Sequence, residues 1–132
     1  MAASNVEIAQ RMLEAWGGTT PETALEYLHP EVEYDVTVRP DGKVWHGPEG
    51  VRRAMIEWSG AWSDWSFEVE RFFDLGDDRV AFLWRERGRA KGSGVPTSQD
   101  GITVLTLRGG LVVAMVTSVD REPTLAALGL AK

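Results

Sequence analysis

The chain has 132 residues, 43% hydrophobic and 26% charged, with a formal net charge of −6 and no cysteine. That length fits one domain, residues 1–132, able to bury a core without staples. Disulfides and thiolate metal sites are excluded, negative charge disfavours nucleic acid, and no apolar run approaches the roughly 18 residues of a membrane span. The first twenty residues carry no apolar signal core, so the expected location is the cytoplasm.

Ser4 and Glu7 make the Ser-x-x-Glu capping box of a first helix. Val6, Ala9, Met12, Leu13 and Trp16 then recur at helical spacing and form one apolar stripe. Gly17-Gly18 stops it. Thr20-Pro21 restarts a short second helix, which the spacing ends at His29-Pro30, because a residue before proline avoids the helical region. From Val32 the period changes to two. Val32, Tyr34, Val36 and Val38 alternate with polar residues, which predicts a half-buried strand with those four facing inward.

Pro40-Asp41-Gly42 is a turn, Lys43 to His46 a short strand, and Gly47-Pro48-Glu49 opens a third helix running to about Ser59. Strands follow at Phe67–Leu75 and Val80 to about Ala90, broken by KGSG at 91–94. Asp100-Gly101 has the signature of a turn or bulge. Ile102–Leu107 and Leu111–Val119 form a hairpin around Arg108-Gly109-Gly110. Asp120 caps a last short helix and Gly129 stands where it stops. Helices before an antiparallel sheet predict an α+β fold: about six strands, with the three helices of the N-terminal half on its concave face and a short C-terminal helix.

Alternation also sorts side chains by face. Val80, Phe82, Trp84 and Glu86 share one face of the long strand; Ala81, Leu83, Arg85, Arg87 and Arg89 share the other. If Phe82 and Trp84 line a cavity, Glu86 points into it. Carboxyl groups in apolar surroundings hold protons more tightly, which suits a general acid or base near neutral pH. The plainer alternative pairs Glu86 with an arginine or leaves it in water. His46, just before the third helix, could relay a proton, and an exposed, hydrogen-bonded histidine is its plainer reading. Trp58 and Trp62 lie four apart and share a face if that helix reaches them; with Trp16 and Trp65 they are core residues or, near the cavity rim, a stacking wall for a flat ligand. Val104 and Thr106 face away from the cavity if Leu105 and Leu107 face in. They motivate a homodimer through the convex sheet face.

Three stretches resemble a known superfamily: HPEVEY at 29–34, WHGPEGVRRAM at 45–55 and LRGGLVVAMVTSVDREPTLAALGL at 107–130. They are similar to the SnoaL-like, ketosteroid isomerase-like and nuclear transport factor 2-like domains. The resemblance implies a cone-shaped curved sheet around an apolar small-molecule pocket that needs no cofactor and no metal. Set against limonene epoxide hydrolase, Tyr34 and Glu86 match a tyrosine and an aspartate, while Trp84 replaces the arginine and Thr117 the second aspartate. Without that arginine, epoxide opening is not expected. Set against ketosteroid isomerase, Val36 stands at the base, Met12 at the pocket tyrosine and Thr103 at the second acid. Cyclases of the SnoaL type use one pocket aspartate, for which Asp120 and Asp100 are the nearest positions; Asp120 reads more simply as a helix cap.

The expected function is a cofactor-independent cyclase, isomerase or lyase acting by acid/base catalysis on an apolar small molecule. Glu86 would be the acid/base, Tyr34 the hydrogen-bond donor, and His46 and Asp120 further candidates. Met12, Trp16, Val36, Trp58, Trp62, Phe82, Trp84, Thr103, Leu105 and Thr117 would line the pocket. The alternative is a non-catalytic ligand-binding or dimerisation domain of the same fold.

Overall fold

The computed structural model describes residues 4–16, 21–38 and 42–130. The Gly17-Gly18 stop, the Thr20 cap and most of the Pro40-Asp41-Gly42 turn lie outside them. Helix α1, Asn5–Trp16, begins on the capping box. The Glu7 N–H donates to Ser4 Oγ at 3.1 Å and the Ser4 N–H to Glu7 Oε1 at 3.4 Å. Its apolar stripe buries Ile8, Ala9 and Met12.

The second helix is a short 3-10 segment, Pro21–Tyr27. Strand β1, Leu28–Asp35, has already begun at His29-Pro30, so His29 belongs to the strand and not to a helix end. The residue before a proline is driven to the extended region, which starts the strand early. Val32, Tyr34 and Val36 are buried, but Val38 is 39% exposed. The strand stops at Asp35, whose Oδ1 accepts the N–H and the hydroxyl of Thr37, and this local turn lifts Val38 out of the inward row.

β2, Val44–His46, pairs antiparallel with β1 and leads into α2, Gly47–Gly60, with Pro48 in its first turn. α2 presses Val51 and Ala54 into the core. Four strands follow: β3 Trp62–Gly76, β4 Arg79–Ala90, β5 Pro96–Arg108 and β6 Leu111–Ser118. β3 and β5 both start earlier than the sequence pattern suggests. The sheet order is β2-β1-β6-β5-β4-β3, curved and open at both edges. All neighbours are antiparallel except β1 and β6, which run parallel, so the sheet is mixed rather than wholly antiparallel. Turn residues fix the direction of consecutive strands. The β1–β6 pair closes only through a crossover of most of the chain, so no local signal sets its direction.

Edge strand β3 shifts register against β4 at three places, between Ser63 and Ser66, Val69 and Arg71, and Asp74 and Gly76. Asp64 takes a left-handed φ of 55° within the first. Asp100-Gly101 is neither turn nor bulge; it runs within β5, where Gly101 pairs opposite Trp84.

α3, Arg121–Ala127, is fastened from outside the sheet. The Arg121 guanidinium donates to the carbonyl oxygens of Gly101 (3.0 Å) and Trp84 (2.6 Å) and to the Glu70 carboxylate. Arg121 holds the Glu70 carboxyl below the usual glutamate range, chiefly by that hydrogen bond. A carboxyl depressed in the folded state stabilises fully above the ordinary value of about 4.3 and loses that contribution as pH falls through the folded value. Wild type should therefore melt above Glu70→Gln at neutral pH, and the gap should close in acid below pH ~4. A gap independent of pH would assign the difference to packing.

Candidate functional site

The inward faces of the sheet and the helices enclose a cavity of about 60 Å³. That is several times the roughly 10–15 Å³ one water needs, and it suits a group of a few non-hydrogen atoms. α1 supplies Met12 and Trp16, α2 supplies Met55 and Trp58, and β1 supplies Tyr34. Trp65 and Phe67 come from β3, Phe82, Trp84 and Glu86 from β4, Thr103 from β5, and Met115 and Thr117 from β6.

The alternation of β4 explains why a carboxylate stands there. Val80, Phe82, Trp84 and Glu86 are all buried, while Arg85 and Arg87 point to the other face. There Arg85 pairs with Glu70 and Asp100, each at 3.7 Å. Glu86 itself is fully buried. Its Oε1 accepts the indole N–H of Trp58 at 2.8 Å and of Trp65 at 3.1 Å. Its Oε2 is the buried side-chain polar atom left without a partner among the described residues. No lysine, arginine or histidine is among the described residues lining the cavity.

The two tryptophans are placed by different devices. α2 carries Trp58 close to its C-terminal end. Trp65 lies in the first register shift of β3, next to the left-handed Asp64, and bulges of this kind re-aim side chains. Gly88, two residues beyond Glu86, leaves the space: a Cβ there would lie 2.9 Å from the Trp62 ring and 3.2 Å from the Trp65 backbone. Trp65, Phe67 and Trp84 form a ladder of near-parallel rings with centroids 6.0 and 5.9 Å apart. A second polar group lies in the same cavity. The Trp84 indole donates to Thr103 Oγ1 at 3.0 Å, and the Thr103 and Thr117 hydroxyls share a hydrogen bond at 2.9 Å.

Glu86, Tyr34, Met12, Trp16, Trp58, Phe82, Trp84, Thr103 and Thr117 thus come together around one space. Val36 and Leu105 are buried in the adjoining core and do not line it. Trp62 does not line it either, because α2 ends at Gly60 and Trp62 belongs to β3. It packs edge-to-face on Trp58 with centroids 5.8 Å apart. His46 is 70% exposed and lies 3.6 Å from Glu33, away from the cavity, because the short β2 edge turns it to solvent. Asp120 occupies the N-cap position of α3, yet its side chain makes no capping bond and is exposed. Its backbone (φ −98°, ψ 86°) departs from the extended geometry a capping side chain needs, and its N–H donates instead to Ser118 Oγ.

The sequence pattern missed Phe67 and Met55, and it offered Trp65 for the cavity rim without its bond to Glu86. Phe67 had a signal, since it opens a strand whose alternate residues face the sheet interior. Trp65 extends the same alternation with Phe67 and Val69, but the register shift at which it meets Glu86 has no signal in the pattern. Among the described residues no three His, Asp or Glu side chains are grouped to hold a metal ion. No helix there is long and apolar enough to cross a membrane.

The sequence model of the SnoaL-like domain matches residues 9–115. No curated protein matches the sequence. Solved structures share the fold. TerC, co-crystallised with polyporic acid, is 21% identical over 96% of each chain with a TM-score of 0.73. A ketosteroid isomerase-like-fold protein from Catenulispora acidiphila, in complex with trimethylamine, is 20% identical over 94% of this chain and 93% of its own, with a TM-score of 0.73. A candidate SnoaL-like polyketide cyclase from Jannaschia is 20% identical over 98% of this chain and 96% of its own, with a TM-score of 0.74. At these identities the likenesses speak for architecture. The matched stretch runs from the first helix into the last strand and contains Glu86 and the described cavity-lining residues other than Thr117, and on that ground the chain, which shares its fold with ketosteroid isomerase-like and nuclear transport factor 2-like proteins, belongs to the SnoaL-like domain family.

Proposed function

We propose that the protein is a cofactor-independent acid/base enzyme of the cyclase or isomerase type, with Glu86 exchanging a proton with a small molecule held in the cavity. The observation that supports this is the asymmetry of the carboxyl group. Oε1 is fixed by two indole donors, while Oε2 is buried and unpartnered. A buried acceptor without a partner costs about 1–3 kcal/mol, and a ligand proton at Oε2 would recover it. Tyr34, across the same cavity, would donate its hydroxyl to an oxyanion developing on the ligand. At about 60 Å³ the cavity favours a substrate portion of a few non-hydrogen atoms; a polycyclic ligand would have to displace wall residues such as Met55. Fold relatives crystallised with polyporic acid and with trimethylamine support small-molecule binding here.

Deuterium uptake from D2O at the α-carbons of small ketones, from acetone to cyclopentanone, tests the reading by NMR. Wild type should catalyse exchange, and Glu86→Gln should slow it by at least ~100-fold, the usual size of a general acid–base contribution. Tyr34→Phe should slow it less. Absence of exchange, or exchange untouched by Glu86→Gln, would favour a non-catalytic binding domain.

We propose also that two copies pair through the convex face. There Val104 pairs with Val116 and Thr106 with Ala114 across β5 and β6, and Val116 is 48% exposed. Sedimentation should show a dimer at tens of micromolar, where a standard interface holds. Monomer alone in that range removes the proposal.

A further inference from the structure

We propose that the ligand group seated at Glu86 is a small organic cation, an alkylammonium whose N–H donates to Oε2. This rests on the placing of a ligand against Oε2 made above, and it names the chemistry that fits. Indole N–H groups can only donate, so Trp58 and Trp65 both serve Glu86 as an acceptor. With both donors on Oε1, the buried Oε2 is left for a donor brought by a ligand, and a positively charged donor makes the strongest such bond. The described residues lining the cavity bring no such charge. On the convex face the arginines of β4 are turned away from it, and there Arg85 is held by Glu70 and Asp100.

The rest of the cavity suits the rest of such a ligand. Trp58, Trp65, Phe67, Phe82 and Trp84 contribute aromatic walls, whose faces attract cations most strongly where water is excluded. Met12, Leu25 and Met55 offer apolar contact for alkyl groups. An anion would bring Oε2 no donor. A neutral alcohol could donate to Oε2, but an uncharged donor makes the weaker bond.

The test compares tert-butylammonium with tert-butanol, which share shape and non-hydrogen skeleton and differ in charge. Binding is followed by the indole N–H resonances of Trp58 and Trp65 in the full chain. The ammonium should bind at least about tenfold tighter, a modest share of a desolvated cation–π and carboxylate interaction. Its methyl protons should show nuclear Overhauser contacts to those two rings. Glu86→Gln keeps an acceptor for both indoles and should reduce the preference several-fold, leaving only the share of the aromatic walls.

Equal or tighter binding of the alcohol overturns the proposal. So does a preference undiminished in folded Glu86→Gln, which would mean that the carboxylate does not hold the cation. Should that variant not fold, the Overhauser contacts decide: without them the cation is not in the cavity. These outcomes are independent of ketone exchange. Failed exchange with retained ammonium preference leaves a cation-binding module, and the converse leaves an acid/base site for neutral substrates.

Discussion

Trp84→Ala is expected to cost about 3–5 kcal/mol of stability, the range for removing a buried tryptophan or phenylalanine side chain. The indole is 1% exposed and stacks on Phe67 with centroids 5.9 Å apart. Its N–H is bonded to Thr103 Oγ1, which in turn bonds Thr117. Truncation removes apolar area, opens a void joined to the existing cavity, and takes a donor from a buried hydroxyl pair. Urea unfolding measures the loss. Trp84→Phe, which keeps most of the packing and loses only the N–H, should cost distinctly less. Equal costs for the two variants would mean that the hydrogen bond, and not the volume, holds this part of the sheet.

The second large effect is expected at Gly101, directly opposite. A Cβ at that position would lie 2.4 Å from the Ser118 carbonyl oxygen and 2.4 Å from Trp84 Cζ2. Backbone blocks one side and a fully packed ring the other, so neither neighbour can yield cheaply. Overpacking of this kind typically costs about 1–3 kcal/mol, and Gly101→Ala should reach or exceed that range. The same urea titration checks it. In the Trp84→Phe background the penalty should fall, because Cζ2 belongs to the indole's six-membered ring and the smaller side chain withdraws. An undiminished penalty would assign the strain to the Ser118 carbonyl alone.

Much of this architecture is legible in the residues. Ser4 and Glu7 mark the first helix because a reciprocal pair of hydrogen bonds needs only local chain. The alternation through Val80, Phe82, Trp84 and Glu86 gives the inward face of β4, since side-chain direction in a strand is fixed by parity. What escapes the pattern depends on non-local geometry. The parallel pairing of β1 with β6 has no turn to announce it. Asp100-Gly101 looks like a turn because both residue types favour turns, yet the glycine is required by the ring across the strand. Trp62 sits at helical spacing from Trp58, but α2 ends between them. The site follows the same division. Glu86 is readable, while Trp65, its second donor, is placed by a break in the strand's regularity.

That irregularity has an effect on the molecule's company as well as its cavity. β3 is the longest strand and lies at the edge of the sheet, with one row of backbone groups turned outward. A straight edge of that length is a template on which another chain can lay a strand. Three register shifts and the left-handed Asp64 break the template into short lengths, and Glu68, Glu70 and Arg71 set charge along it. The bends that bring an indole to Glu86 therefore also guard the protein against edge-to-edge aggregation, so that smoothing the strand would loosen the site and open a path to fibrils together.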